Sequence, residues 1–384
     1  MLSFCTGGTV AVSRPRVVVA MSGGVDSSTT ALLLHEAGYD VVGVTMRLYT
    51  APGPESMPTS KGCCGLEDVE YARRACQLLG VPHYFMNFER EFKSHVIDYF
   101  INEYRQGRTP NPCLACNDKI KFDFLLRKSL AFGAEYLATG HYARIDRANN
   151  GHLRLLKAVD SSKDQSYVLY TLGQAELARL LLPVGEHIKA DVRRIAQERG
   201  LPNAGKPDSQ EICFIAGGGY RQFLRERVGT RTGEIVDTAG RALGTHPGVG
   251  YFTIGQRHGL GIATGRPLFV VGLDAAQNQV VVGGQDELLA TEAIASGVRY
   301  VSGVAPEVSL AVRVKYRYRS PEVEAEVIPQ GQRVLVRFRE PQRALTPGQA
   351  IVFYQDDEVL GGGAIDEVCA MSMTGSAAQV VGVG

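Results

Sequence analysis

Two cysteines three residues apart, Cys113 and Cys116, lie in TPNPCLACNDKIKFDFLL, directly behind two prolines and at the head of a segment with helical spacing. Such a pair can clip a metal, cycle as a redox couple or carry one nucleophile. A structural zinc site needs a second CxxC or an HxxxH, and the chain supplies neither. A thioredoxin-like pair would follow a redox βαβ unit, which these prolines and this register do not. A nucleophile has positional support. Asn117, next to Cys116, is a good helix N-cap, and a helix dipole acting with Lys119 and Lys121 would lower the Cys116 thiol pKa. Cys213 sits in SQEICFI, where Ile212, Phe214 and Ile215 make it, on residues alone, an ordinary buried thiol. Cys63 and Cys64 fall in a Pro/Gly/Ser-rich loop and Cys76 on the apolar face of a helix, and none of these is assigned chemistry.

A second stretch suits phosphate chemistry. AMSGGVDSS stands between a strand and a helix, where backbone N–H groups and the helix dipole form an anion site. Gly23 and Gly24 permit close approach, and Ser22, Ser27 and Ser28 can donate hydrogen bonds. There is no GxxxxGK[ST] lysine and no GxGxxG, so neither a Walker loop nor a dinucleotide fingerprint is present.

The elements that must hold these residues follow from periodicity. RVVVAM (16–21) reads as a strand, TTALLLHEAG as a helix ending at Gly38, and DVVGVTM (40–46) as a second strand, a βαβ unit with parallel strands. Helices at 67–80 and 90–104 alternate with strands at 82–88 and 135–140. This predicts a doubly wound α/β sheet with ligands at the carboxyl ends of its strands. Beyond about residue 230 the texture changes to Gly-punctuated short strands. The last ninety or so residues alternate apolar and polar positions, as in SLAVRVKYRYR and RVLVRFRE, which predicts an antiparallel barrel or sandwich.

Composition sets outer bounds. At roughly 150 residues per domain, 384 residues imply two or three domains. Hydrophobic content of 45% with 21% charge fits a soluble protein, and no apolar run nears the roughly 20 residues of a membrane helix, so no membrane partner is expected. Eight cysteines are too sparse for a disulfide scaffold, and a reducing cytoplasm is the expected compartment. MLSFCTGGTVAVSR does not read as a secretory signal. The net charge of +1 conceals a local excess, because residues 311–345 hold eight Lys and Arg against four Glu. As one strand, AVRVKYRYR would show Arg313, Lys315, Arg317 and Arg319 on one face and Val314, Tyr316 and Tyr318 on the other. That pattern suits an RNA-binding strand or a solvated barrel strand equally.

AMSGGVDSS resembles the SGGxDS loop of the PP-loop ATP pyrophosphatases, which cleave ATP to AMP and pyrophosphate while adenylating a carbonyl oxygen. The resemblance implies ATP contacts along Ala20, Met21, Ser22, Gly23, Gly24, Val25, Asp26 and Ser27, with Asp26 near the nucleotide and its Mg2+. It also puts Met46 and Gly140 against the nucleotide; residue type alone would leave Met46 a core methionine.

TPNPCLACNDKIKF, KDQSYVLYTL, SQEICFI, GQRHGLGI and TPGQ are similar, in order and spacing, to the tRNA-specific 2-thiouridylases, over residues 16 to 366. That resemblance implies a sulfurtransferase replacing the C2 oxygen of the wobble uridine in tRNAs of the Lys, Glu and Gln types, fed by a persulfide sulfur-relay donor. It makes Cys116 the nucleophile and Cys213 the persulfide carrier, which end as a Cys116–Cys213 disulfide. It sets Asn111, Pro112 and Cys113 beside the target base, His141 near the RNA, and Lys163, Asp164, Gln165, Arg317, Tyr318 and Gln349 on the tRNA. Cys113 departs from members that carry Asp there. With Cys113, Cys116 and Cys213 as ligands, a [4Fe–4S] thiolase is the nearest alternative. A PP-loop ligase without thiolation and a nonenzymatic RNA-binding protein stand further off. The implied division is a PP-loop catalytic domain (1–219), a small central tRNA-presenting domain (220–294) and a tRNA-binding β-barrel (295–384).

Overall fold

Four consecutive buried residues, Val17 to Ala20, give β1 (Arg16–Ala20) two apolar faces, as a strand covered on both sides requires. Val17 and Val19 face a cluster built with α1 (Val25–Glu36) and α2 (Leu66–Leu79), whereas Val18 and Ala20 face one built with the helices at 89–105 (α3) and 112–131 (α4). The computed structural model describes residues 14–50, 65–208, 212–215, 219–262, 265–370 and 380–381. Cys5, Cys63 and Cys64 lie outside them, as does the tail from Met371 apart from Val380–Val381.

With β2 (Asp40–Arg47), β3 (His83–Asn87), β4 (Tyr136–Ala138), the hairpin β5 (Ala143–Arg147) and β6 (Leu153–Lys157), and β7 (Leu180–Leu181), the first half of the chain is complete. All pairings in its sheet are parallel, in the order β3-β2-β1-β4-β7. The chain winds outward from β1 through β2 and β3, then returns to lay β4 on the other side of β1. A crevice therefore opens between the carboxyl ends of β1 and β4, the place where open α/β sheets bind ligands. Met21–Gly24 leaves one strand there and Thr139–His141 the other. A further helix, α5 (Lys189–Glu198), packs against α1.

A four-stranded sheet follows, from β8 (Gly233–Asp237), β9 (Ala242–His246), β10 (Phe269–Asp274) and β11 (Gln279–Gly283). The last part comprises β12 (Leu289–Tyr300), β13 (Leu310–Lys315), β14 (Val323–Gln330), β15 (Arg333–Arg343), β16 (Ala350–Gln355) and β17 (Glu358–Ala370). These six antiparallel strands close into a barrel through pairing of β12 with β17, which settles barrel over sandwich. The β5–β6 hairpin leaves the first half of the chain and joins the barrel: Leu155 and Leu156 pair with Val359 and Glu358. No helix among the described residues is long and apolar enough to cross a membrane.

Two expectations are corrected. The single strand expected through AVRVKYRYR stops at Lys315, and Tyr316–Ser320 turns instead, with Ser320 donating its N–H at 3.1 Å and its O–H at 3.0 Å to the Arg317 carbonyl. Arg317 and Arg319 therefore do not continue a basic strand face. The helix expected to take Asn117 as its N-cap is capped six residues earlier, by Asn111, and begins at Pro112.

Leu137 of β4 is fully buried at the centre of the sheet. Leu137→Ala should cost about 2–5 kcal/mol, read as a lower urea midpoint of the first transition; an unchanged midpoint would contradict this packing.

Candidate active site

The loop after β1 is a cradle of backbone. Gly23 takes φ +73°, and a Cβ there would lie 2.2 Å from the Asp68 carbonyl oxygen, so only glycine fits. Ser27 Oγ donates to Gly24 O at 3.0 Å and accepts from Ser22 N–H at 3.2 Å, which folds the loop over the start of α1. Gly24 caps α1 without a side chain, leaving first-turn amides pointed into the crevice. From the β4 side Gly140 comes so close that a Cβ would sit 2.8 Å from Ser27 N and 2.9 Å from the Asp26 carbonyl carbon. Met46, next to last in β2, is half-buried against the adjoining core. Gly140 thus meets the Asp26–Ser27 end of the loop at one crevice, while Met46 lies on the neighbouring strand. Uncapped amides, glycine clearance and one carboxylate suit a polyphosphate with a divalent ion, Asp26 being the group that would hold Mg2+.

Asp26 is not isolated. Its Oδ1 accepts from Tyr142 O–H at 2.8 Å, and Lys189 Nζ lies 2.7 and 2.8 Å from its two oxygens. Lys189 also pairs with Asp208 at 2.8 Å, which accepts from Lys163 at 2.8 Å and Arg193 at 2.9 Å. Burial raises the Asp208 carboxyl, but hydrogen bonds from Lys163 and Lys189 outweigh it and bring it down to about 2. Gln165 fixes Tyr142 by accepting its N–H at 2.9 Å and donating its own N–H to its carbonyl at 2.8 Å. Lys189, Asp208 and Tyr142 were not among the residues singled out from sequence. A signal existed for one: Lys189, Val192 and Ala196 form the buried stripe of α5, where a lysine is out of place.

The cysteines sit on different supports. Asn111 Oδ1 accepts from Cys113 N–H at 3.0 Å and Pro112 fills the first helical position, so Cys113 occupies the first turn of α4 and is exposed. Cys116 lies one turn further in, at the start of a π-helical stretch (Cys116–Leu125). Asn117 is buried and donates Nδ2–H to the Val168 carbonyl at 3.1 Å. The N-cap argument for Cys116 therefore does not hold, and the helix terminus acts on Cys113 instead. Cys213 occupies a tight turn, Ile215 N–H to Ile212 O at 3.0 Å, anchored by Phe214 against Phe92, Phe100 and Phe223. Cys116 and Cys213 border the same apolar cluster. Cys76, Cys113, Cys116, Cys213 and Cys369 form no disulfide.

Of the residues expected on the RNA, His141 is buried, Lys163, Asp164, Gln165 and Gln349 are half-buried, and Arg317 and Tyr318 are exposed. His141 is buried; Lys121 can only donate to its Nε2 (3.4 Å), so Nδ1 carries the proton and gives it to Thr139 Oγ1 at 2.7 Å. Burial, then Lys121, holds the imidazole well below its ordinary value and hence neutral. Asp164 accepts from Ala158 N–H, Ser166 N–H and Ser166 O–H. Arg317 donates to the Ala344 carbonyl. Tyr318 remains 36% exposed, and its phenol, raised by burial and by Asp164, feels Cys113 and bonds with Gln165. Cys113 and Tyr318 thus mark the open face beside α4. Gln349 donates Nε2–H to the Thr109 carbonyl at 2.7 Å, and Thr109 N–H donates to Pro347 O at 2.9 Å. Barrel loop TPGQ is therefore a clamp on the chain entering α4.

Family models match three consecutive stretches: a tRNA methyl transferase HUP domain at residues 15–217, a tRNA methyl transferase PRC-barrel domain at 221–284 and an aminomethyltransferase β-barrel domain at 290–365. The tRNA-specific 2-thiouridylase MnmA of Roseiflexus castenholzii is 50% identical over 368 residues, covering 91% of this chain and 99% of its own. That of Geobacter metallireducens is 50% identical over 362 residues, covering 92% and 97%. The chain belongs to the tRNA-specific 2-thiouridylase family. A U34-tRNA thiolase of Methanococcus maripaludis, solved with its [4Fe-4S] cluster, matches 56% of this chain and 65% of its own at 17% identity and a TM-score of 0.32.

In this 2-thiouridylase-family protein, no group of three or more His, Cys, Asp or Glu side chains is gathered as a metal set among the described residues.

Two tests follow from this geometry. Gly348 has φ +89° and a Cβ would lie 2.9 Å from Thr109 N, whereas Gly38 at φ +87° has open space. Both alanine variants bear the left-handed strain of about 1–2 kcal/mol, but only Gly348→Ala also disturbs the clamp, so it should melt lower than Gly38→Ala; equal melting would contradict the clamp. Asp208 is depressed from 3.8 to about 2, so its stabilising contribution is complete above pH of about 4 and lost as pH falls toward about 2. Asp208→Asn should flatten the melting-temperature decline in that window, and an unaltered decline would remove Asp208 as a source.

Proposed function

We propose that this protein carries out ATP-dependent 2-thiolation of the wobble uridine of tRNA, with Cys213 as persulfide carrier and Cys116 as the thiol that releases the sulfur. The observation that carries this reading is half identity, along nine-tenths of the chain, to proteins named 2-thiouridylases. Both cysteines at the border of one apolar cluster, and the phosphate cradle at the sheet's crevice, support it.

ATP lies with its phosphates on the first-turn amides of α1, and Mg2+ on Asp26 would neutralise phosphate charge. The uridine C2 oxygen attacks the α-phosphorus, pyrophosphate leaves, and C2 becomes an adenylate. A relay protein loads Cys213 with a persulfide. The Cys116 thiolate attacks the Cys213 sulfur, the terminal sulfur leaves as sulfide equivalent and displaces AMP at C2, and Cys116 and Cys213 are left as a disulfide. Two thiols are oxidised as one sulfane sulfur is reduced, so a thiol reductant must reset the enzyme.

In this reading the flipped uridine enters beside Asn111, Pro112 and Cys113, with Tyr318 as the stacking surface. Lys163, Gln165, Arg317 and Gln349 shape the tRNA surface from behind, by holding Asp208, Tyr142, Ala344 and Thr109. The three sequence blocks 1–219, 220–294 and 295–384 divide activation, presentation and tRNA binding among them, in the cytoplasm, on tRNAs of the Lys, Glu and Gln types.

Cys116→Ser and Cys213→Ser should each cut 2-thiouridine formation by on the order of a thousandfold or more while leaving tRNA-dependent pyrophosphate release nearly intact, as measured by nucleoside analysis and pyrophosphate assay. Persistent thiolation in the Cys116→Ser variant would remove that residue from the mechanism. Absence of 2-thiouridine from tRNA in cells expressing the wild-type gene in place of their own would overturn the reading itself.

A further inference from the structure

The phosphate loop of this protein contains no lysine, yet phosphoryl and nucleotidyl transfers need a cation where charge develops on the phosphates. Lys189 is the described residue placed to supply one. It is only 9% exposed, and its Nζ lies 2.7 and 2.8 Å from the oxygens of Asp26, in the first turn of α1, and 5.6 Å from the Tyr142 ring centre. Its own N–H is held by Asp160 Oδ2 at 2.9 Å, which fixes the start of α5 against the site.

A purely structural role explains Lys189 poorly. Asp208 already has Lys163 and Arg193 and needs no third cation for neutrality. What Lys189 adds is reach: it alone among the described cations bridges Asp208 to Asp26. Burying an ammonium costs several kcal/mol unless it is fully paired, and here the pairing points it at the carboxylate that borders the phosphate cradle. With a second carboxylate behind it, Lys189 can turn from Asp26 to a phosphate oxygen while staying paired to Asp208.

We propose that Lys189, brought from α5, is the phosphate-binding cation that the SGGVDSS loop lacks, a catalytic residue contacting the ATP phosphates during uridine activation, with Asp208 as its positioning residue. The proposal rests on the ATP-dependent reading above. It names no new substrate; it assigns a residue that the sequence motifs pass over.

The test compares wild type, Lys189→Met, Lys189→Arg and the double variant Lys189→Met/Asp208→Asn, as full-length protein with Mg2+. Two quantities are read: ATP affinity by equilibrium binding without tRNA, and kcat and KM for tRNA-dependent pyrophosphate release. Lys189→Met should weaken ATP binding about tenfold and lower kcat about 100- to 1000-fold, the usual cost of removing one stabilising donor; Lys189→Arg should recover part of both. The double variant also removes Asp208, the carboxylate that stands behind Lys189. If it stays as slow as Lys189→Met, the loss belongs to the phosphate contact; if it recovers wild-type kcat, Lys189 was needed only to neutralise Asp208 and the proposal falls. It also falls if Lys189→Met keeps ATP affinity and kcat within about threefold of wild type. Wild-type protein that releases no pyrophosphate with tRNA would overturn the thiolation reading instead, and ATP affinity in the variants would still decide Lys189.

Discussion

Thr109 has both of its backbone hydrogen-bonding groups satisfied from the far end of the chain, its N–H by Pro347 and its carbonyl by Gln349. A backbone enclosed in this way cannot leave its groups unpaired without a cost close to that of a lost hydrogen bond for each. The neighbouring Arg108 extends the joint, reaching Glu103 within its own half and Asp366 and the Ile365 carbonyl in the barrel. Two residues later Asn111 caps α4 and Pro112 starts it. The barrel thus fixes where α4 begins, and α4 carries Cys113 and Cys116. Tyr167 adds a third tie, its buried hydroxyl donating to the Ala350 carbonyl at 2.8 Å.

On the nucleotide side the organising feature is the reversal of winding at β1. It brings Gly140 against Asp26 and Ser27 although they come from two separate strand ends. Charge is then arranged around them in alternation, Asp26, Lys189, Asp208, Lys163, so that each buried charge meets the opposite sign. Asp208 is five residues ahead of Cys213 in the chain. The Cys213 turn is anchored by the contacts of Phe214 with Phe92, Phe100 and Phe223.

Local pattern carried the sheet well. The apolar run RVVVAM and the βαβ spacing give β1, α1 and β2 because strands buried on both faces leave a continuous apolar signature. Pattern carried the cysteine helix less well: proline at its first position is a start signal, but Asn117 offered a competing one, and only tertiary packing, the Val168 carbonyl, decides between them. The KYRYR stretch failed as a strand for a related reason, since the turn that Ser320 closes on the Arg317 carbonyl outweighs alternation. Motif residues such as Gln349, Lys163 and Gln165 stood out in the sequence, but their partners Thr109, Asp208 and Tyr142 did not, because a motif records identity and not which partner the side chain meets. Lys189 was least legible, since charge normally signals surface and its partners lie 163 and 19 positions away.

The β5–β6 hairpin sets a timetable for biosynthesis. Its outer strand emerges with residues 153–157, but the edge it must join, Val359 and Glu358 of β17, follows some two hundred residues later. Lys157 waits in the same way for Glu322 and then for Asp356. During translation the catalytic half therefore exposes an open strand edge with Leu155 and Leu156 upon it, and the final strands of the barrel act as the closing stitch for the first domain as well as for their own. Contacts of such sequence separation fold slowly, so the nascent enzyme depends on its last-made strands to complete the first-made half.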